Sequence, residues 1–346
     1  MVIAHEFGHF IVAKKSGIWV QEFAVGMGPK IASFQKGDTE YTIRLLPLGG
    51  FCKMEGGAEE EDALPSPTSF LSKSIGVRLA VMAAGPLMNF LLALVMIFGL
   101  TCTSYTAVPE IREILPNSAA AASGLEVGDT IRRINGKKIH IYDELQLLLQ
   151  PNHGEPIRLE VENAEGERFE YELQPKQDAE SGRYLIGFTP QIRAGLFAEP
   201  VDGYETMGVG ETVRYSYFAM INYVKMTAEG LVRVFTFTAD RDEYGGPIAI
   251  MKMVGDSYEA GLEYSLKAAI QNVVYIGAVL SANLGVLNLF PIPALDGGRI
   301  LFLLIEAIRR KPMNVETEGK LQFLGFLFIM GLMVFILFGD IAKYIL

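Results

Sequence analysis

The amino-acid sequence predicts a polytopic α-helical membrane protein with about four transmembrane helices, a membrane-associated β-hairpin and one extracytoplasmic α+β domain. Half of the 346 residues are hydrophobic, and the mean hydropathy is +0.27, a value that soluble domains rarely reach. The hydrophobic residues gather in runs that can cross a bilayer, and polar stretches separate these runs. The formal net charge of −10 gives no reason to expect a nucleic-acid partner.

Three apolar runs predict transmembrane helices. Leu79–Thr103 carries no charge over a length that exceeds the ~20 residues of a spanning helix. Leu266–Phe290 is almost uncharged, and Leu321–Phe338 is entirely so. Met1–Ala13 is apolar apart from its His and Glu residues but is shorter than a span, so we expect that the sequence begins inside a first transmembrane helix.

Basic residues near the ends of spans favour the cytoplasmic side of a membrane. Lys73 and Arg78 precede the first long run, whereas Thr101–Val108 after it contains no basic residue. The basic run Arg309–Lys311 follows the next span and places the connection there on the inside. The sequence thus predicts a multi-pass protein of the cytoplasmic membrane, with the chain from Tyr105 onward outside.

Between the first two long runs lies a polar stretch with the pattern of a small α+β domain. Ile157–Val161 and Phe169–Leu173 alternate apolar and polar residues and predict strands, and Ile141–Gln150 has helical spacing. We expect four segments: an N-terminal membrane core, the α+β domain, an extracytoplasmic linker and a C-terminal membrane core. Their boundaries are 1–104, 105–194, 195–262 and 263–346. Cys52 and Cys102 lie on opposite faces in this topology, so no disulfide is expected.

Two further segments are predicted to contact the membrane. Gly203–Phe237 mixes apolar residues with isolated charges, which favours an interfacial amphipathic helix over a further full span. Ile31–Phe34 and Tyr41–Leu46 alternate in character on either side of the turn Lys36–Asp38, which predicts a cytoplasmic hairpin.

The motif His5-Glu6-Phe7-Gly8-His9 has the pattern H-E-x-x-H. On a helix, residues i and i+4 share a face, so both imidazoles can bind one Zn²⁺ while Glu6 lies beside the metal as general base. Two surface histidines on a helix are the alternative. The apolar neighbours argue against it, because ionisable groups within a membrane are usually functional.

A catalytic zinc takes a third protein ligand. His140 and His153 fall in the external domain, which leaves a carboxylate as the natural candidate. Asp296 stands at the inner end of a predicted span, in Asn288-Leu289-Phe290-Pro291-Ile292-Pro293-Ala294-Leu295-Asp296-Gly297-Gly298. The alternative for Asp296 is capping of the helix that follows it.

These motifs together resemble the site-2 protease family, in particular the bacterial intramembrane zinc metalloproteases of the RseP/RasP type. The resemblance rests on HEFGH, on Gly85-Pro86-Leu87-Met88-Asn89, on NLFPIPALDGG, and on Pro116–Ile131, which resembles a bacterial PDZ domain with Leu125 and Ile131 in its core. It implies His5, His9 and Asp296 as zinc ligands and Glu6 as the catalytic base. It also implies substrate binding by Asn288 and by Asn89, for which helix packing around Gly85 is the alternative.

The resemblance implies a metalloendopeptidase that cleaves transmembrane segments of single-span membrane proteins, such as anti-sigma factors or signal-peptide remnants, within the lipid bilayer. The hairpin would present a strand edge to an unwound substrate, and the PDZ-like domain would bind a peptide or act as a spacer. A non-catalytic membrane-anchored PDZ scaffold with a vestigial zinc site is the main alternative. A transporter would predict internal repeats, which the sequence does not show.

Overall fold

The computed structural model of the chain describes residues 1–56, 66–149, 154–177, 184–236, 238, 245–311 and 313–344. These residues form two compact units. The core unit comprises Met1–Met96 and Val224–Leu346, and the insert unit comprises Ile97–Tyr223.

The core unit is mostly helical, and most of the strands lie in the insert unit. The helices are α1 (Val2–Lys15), α2 (Ile75–Thr103), α3 (Ala119–Ser123), α4 (Tyr142–Leu149), α5 (Val209–Phe235), α6 (Pro247–Leu262), α7 (Leu266–Leu289), α8 (Asp296–Arg309) and α9 (Val315–Tyr344). The strands are β1 (Val20–Lys36), β2 (Thr39–Met54), β3 (Tyr105–Ile114), β4 (Thr130–Ile134), β5 (Lys137–Lys138), β6 (Ile157–Glu162), β7 (Arg168–Leu173), β8 (Lys176–Gln177), β9 (Tyr184–Leu185), β10 (Phe188–Ala194) and β11 (Glu205–Thr206).

Among the described residues, three helices are long and apolar enough to cross a membrane: α2, α7 and α9. They contain the runs from which the sequence predicted spans. Helix α1 has 14 residues, fewer than a bilayer requires, so the total of about four transmembrane helices stays a prediction. Helix α5 forms where an amphipathic helix was predicted, and its interfacial position likewise stays a prediction.

The predicted hairpin is present and is longer than expected. Strands β1 and β2 pair antiparallel from Lys36↔Thr39, next to a turn in which Gly37 has a φ of 61°. Both strands bend, so that each pairs with its partner twice: Phe23 lies opposite Tyr41 and also opposite Cys52. The four resulting stretches follow one another in the order 30–36, 39–44, 20–25 and 50–54. The 50–54 stretch therefore forms one outer edge of the hairpin.

The insert unit contains a sheet with the strand order β11-β10-β3-β4-β6-β7. Strands β6 and β7 form where alternation in the sequence predicted strands, and they pair antiparallel from Ile157↔Leu173. Helix α4 matches the predicted helix. Position 150 of that helix lies outside the described residues. Ile157, Leu159, Val161 and Leu173 lie in the core of the unit together with Leu125, whereas Phe169 is 43% exposed. Strand β10 ends at Ala194, and the boundaries of the four predicted segments stay predictions.

The two cysteines are free thiols. Cys52 belongs to the core unit and Cys102 to the insert unit.

We expect Leu159→Ala to lower the free energy of unfolding of the insert unit by about 2–5 kcal/mol, because it removes a fully buried side chain and leaves a cavity. Hydrogen exchange of the insert-unit amides measures this change. Val127→Ala is the control, since Val127 is 66% exposed. Equal losses in the two variants would contradict the assignment of Leu159 to the core.

Candidate metal centre

Helix α1 places His5 and His9 on one face, because residues four apart lie one turn above each other. Both histidines are buried, with 7% and 5% of the residue surface exposed. Gly8 lies on the same buried face. The first predicted motif is therefore a helix with its two histidines directed into the protein.

Close packing of α1 on α2 depends on two glycines. A Cβ added to Gly8 would overlap the carbonyl of Ala84. A Cβ added to Gly85 would overlap the rings of both His5 and His9. Gly85 therefore contributes to helix packing by leaving space for the two imidazoles.

Asp296 is brought to the histidines by the start of α8. Its Oδ2 lies 3.0 Å from His5 Nε2 and 3.2 Å from His9 Nε2. The N-cap of α8 is Leu295, and no side chain caps the helix. The capping role considered for Asp296 is therefore not observed, since the carboxylate points to the imidazoles.

The turn before Asp296 is held by close backbone packing. Ala294 has a φ of 81°, a left-handed backbone conformation that residues other than glycine seldom adopt. Added Cβ atoms at Gly297 and Gly298 would overlap backbone of Leu289–Pro293. The two glycines therefore let α8 begin directly against the chain that leaves α7.

The three side chains form a triangle that fits a zinc ion. The two Nε2 atoms are 3.1 Å apart, so all three edges lie between 3.0 and 3.2 Å. Tetrahedral zinc with bonds of about 2.0–2.2 Å sets its ligands about 3.3 Å apart. Among the described residues, His5, His9 and Asp296 are the group that could hold a metal ion, and three ligands leave a fourth position for water.

His9 is oriented for this role by a backbone acceptor. Its Nδ1 lies 2.8 Å from the carbonyl oxygen of Val81. A carbonyl only accepts hydrogen bonds, so Nδ1 carries the ring proton and Nε2 keeps its lone pair. Pro86 lies in the next turn of α2, where it lacks the N–H that would bond the Met82 carbonyl.

Glu6 lies beside the triangle without belonging to it. Its carboxylate accepts a hydrogen bond from the Cys52 N–H and interacts electrostatically with His5, His9 and Asp296. Gly50 lies next to it, because a Cβ added there would be 3.6 Å from Glu6 Cγ. The outer edge of β2 thus fixes the position of this carboxylate.

The two asparagines singled out from the sequence both reach His5. The amide nitrogens of Asn89 and Asn288 lie 3.3 Å and 3.4 Å from its Nδ1. Asn89 is fully buried, whereas Asn288 at the end of α7 is partly exposed. The Ser281 hydroxyl donates to the backbone carbonyl of Asn89 at 2.9 Å, which links α7 to α2 at this point.

A bidentate ion pair anchors α8 to α2. The guanidinium of Arg78 donates to the two carboxylate oxygens of Glu306 at 3.1 and 2.5 Å, and the two side chains are only 9% and 15% exposed. Loss of one partner would leave a buried charge unpaired. This pair helps to fix the helix that carries Asp296.

Some contacts at the site come from groups that the sequence analysis did not identify. They are the Val81 carbonyl, the Cys52 amide and the Ser281 hydroxyl. The first two are backbone groups, which a sequence motif does not identify because every residue carries them. His140 is in the insert unit, where it stacks on Phe218, and position 153 lies outside the described residues.

Comparisons with known proteins identify the family of the chain. The sequence matches the profile of peptidase family M50 over residues 1–332. A Clostridium perfringens protein named as a candidate zinc metalloprotease is 38% identical over 347 positions, covering 100% of this chain and 96% of that protein. The zinc metalloprotease RasP of Geobacillus kaustophilus is 32% identical over 427 positions, covering 100% of this chain and 96% of RasP.

One similar solved structure is the PDZ domain of an SdrC-like protein from Listeria monocytogenes. Its TM-score is 0.22 and its identity 16%, and the match covers 24% of this chain and 87% of that domain. The PDZ-like interpretation of the insert unit stays a prediction.

The chain belongs to peptidase family M50. It is a zinc-dependent membrane metalloendopeptidase of the site-2 protease type, as the sequence motifs predicted. Family membership favours this enzyme over the membrane-anchored scaffold and implies membrane-protein substrates in a lipid environment. The roles of individual residues are argued below.

We expect Gly85→Ala to weaken zinc binding, because the added methyl group would displace both imidazoles. Overpacking of this kind costs about 1–3 kcal/mol, or roughly 30-fold in affinity at the middle of the range. Chelator competition on the purified protein measures the change. Gly99→Ala on the same helix is the control, since nothing lies within 4 Å of a Cβ there. Parent-like zinc affinity in Gly85→Ala would contradict the packing argument.

Proposed function

We propose that His5, His9 and Asp296 bind the catalytic zinc, that Glu6 is the general base, and that the enzyme cleaves transmembrane segments of single-span membrane proteins. The observation that carries this proposal is the triangle of donor atoms, with edges of 3.0–3.2 Å and the Glu6 carboxylate beside it. A structural zinc site would have four protein ligands and no use for an adjacent free carboxylate.

In peptide hydrolysis, the metal and the protein have different tasks. Bound zinc supplies a Lewis acid and lowers the pKa of a water ligand towards ~7. Glu6 accepts the proton of the attacking water as its oxygen bonds to the carbonyl carbon of the substrate. When the C–N bond breaks, Glu6 returns that proton to the leaving nitrogen, and the products are an amine and a carboxyl group.

The outer edge of β2 could bind the substrate as an additional β-strand. A transmembrane helix hides its carbonyl groups in hydrogen bonds, so the scissile segment has to be extended. The 50–54 stretch lies at the edge of the hairpin and contacts Glu6 through Cys52 and Gly50. A substrate added as a further strand there would run past the catalytic base, with its backbone paired. Asn288, partly exposed beside His5, would contact the substrate backbone or the oxyanion.

The biological setting belongs to the same proposal. Single-span anti-sigma factors and signal-peptide remnants are the substrate classes, and the enzyme is a multi-pass protein of the cytoplasmic membrane with its active site near the cytoplasmic face. Segments 1–104 and 263–346 form the membrane core. Segment 105–194 is an extracytoplasmic PDZ-like domain for a peptide, and 195–262 links it to the core.

We expect Glu6→Gln to keep one zinc per chain and to lose cleavage of a single-span substrate in detergent by about 10²–10⁴-fold, because an amide cannot accept the proton. His5→Ala should lose both zinc and cleavage. Metal analysis and a gel-based cleavage assay measure the two properties.

Glu263→Gln, an exchange at an exposed position, is the matched control for Glu6→Gln and should match the parent in both assays. Cleavage retained by purified Glu6→Gln would refute the role of the base. A chelator-resistant parent enzyme would refute the role of the metal.

We also expect two glycines in place of two alanines beside the scissile bond of a model substrate to speed cleavage. Glycine disfavours a helix by about 1 kcal/mol per residue relative to alanine, so two glycines give a gain of up to about 30-fold. Single-turnover rates with enzyme in excess measure the effect. The same glycines placed two turns away are the control, and an equal gain there would argue against local unwinding.

A further inference from the structure

We propose that Asn89 is a positioning residue whose amide oxygen accepts the Nδ1 proton of His5 and so holds His5 Nε2 toward the metal. This inference rests on the proposed zinc site. It gives Asn89 a different role from the substrate contact predicted by resemblance, because the side chain is fully buried.

The argument starts from the proton on His5. Nε2 of His5 faces His9 and Asp296 inside the triangle, so a zinc ligand there needs its lone pair. A neutral imidazole carries one ring proton, which is then on Nδ1. That N–H is buried and requires an acceptor, just as Nδ1 of His9 has the Val81 carbonyl.

Two amide groups lie within reach of His5 Nδ1, those of Asn89 at 3.3 Å and Asn288 at 3.4 Å. Both present their NH₂ group to the ring nitrogen, and an NH₂ group cannot accept a hydrogen bond from a ring N–H. The oxygen and nitrogen of an amide have almost the same shape, so a half-turn about the last side-chain bond exchanges them. One of the two asparagines has to present its oxygen.

Asn89 is the better acceptor on two grounds. Its Oδ1 is buried and has no hydrogen-bond partner in the present orientation, and a half-turn brings this oxygen to the His5 N–H. The backbone of Asn89 is also fixed, because the Ser281 hydroxyl donates to its carbonyl at 2.9 Å. Asn288 is partly exposed and stays available to a substrate.

The test compares zinc affinities of the purified full chain by chelator competition. Asn89→Leu keeps the size of the side chain and removes the acceptor, and its zinc affinity should fall by about 10–100-fold, as for other partners of ligating histidines. Asn89→Asp keeps an acceptor and should restore most of the affinity. The visible spectrum of bound Co²⁺ should keep its tetrahedral bands in Asn89→Asp and lose intensity in Asn89→Leu.

Two controls separate positioning from packing. Ser281→Ala removes the contact to the Asn89 backbone but leaves the acceptor, so its zinc affinity should fall much less than that of Asn89→Leu. Asn288→Leu removes the other amide and should bind zinc like the parent. Parent-like affinity in Asn89→Leu, a loss in Asn89→Asp equal to that in Asn89→Leu, or a loss in Asn288→Leu instead would each overturn the assignment. A parent protein that binds no zinc would overturn the metal centre itself, which is a different result.

Discussion

The close approach of α1 to α2 is the constraint on which the rest of the site depends. It is possible only because Gly8 and Gly85 carry no side chains where the two helices meet. This contact brings the His9 ring to the Val81 carbonyl and the His5 ring to the Asn89 amide. Packing of two helices therefore decides not only where the imidazoles lie but also which ring nitrogens point into the triangle.

Polar groups at the site are supported by partners from different elements. Helices α1 and α8 supply the three donor atoms, while a strand edge holds the Glu6 carboxylate through the Cys52 amide. Arg78 and Glu306 neutralise each other between α2 and α8. Burying charges in an apolar surrounding is costly unless they are paired or bind a metal. The helices that position the site are thus joined by polar contacts that satisfy one another.

Much of this arrangement could be predicted because its signals are local or chemically rare. The spacing of His5 and His9 specifies a shared helix face, and alternation along Ile157–Val161 specifies a strand. The bending of the hairpin had no such signal, because it depends on residues 20–25 pairing along both edges, with 39–44 and with 50–54. The role of Asn89 also could not be read from its motif, because burial and an unpaired oxygen are properties of the folded chain.

The triangle joins residues that are far apart in sequence, His5 in the first helix and Asp296 in α8. A metal held there would act as a cross-link in a chain whose two cysteines are free thiols. A disulfide stabilises mainly by restricting the unfolded chain, whereas a metal that is released on unfolding stabilises the folded state by binding to it. A ligand that binds only the native state adds its binding free energy to the stability of the fold. The same ion would thus serve catalysis and hold the chain's first helix to its last third.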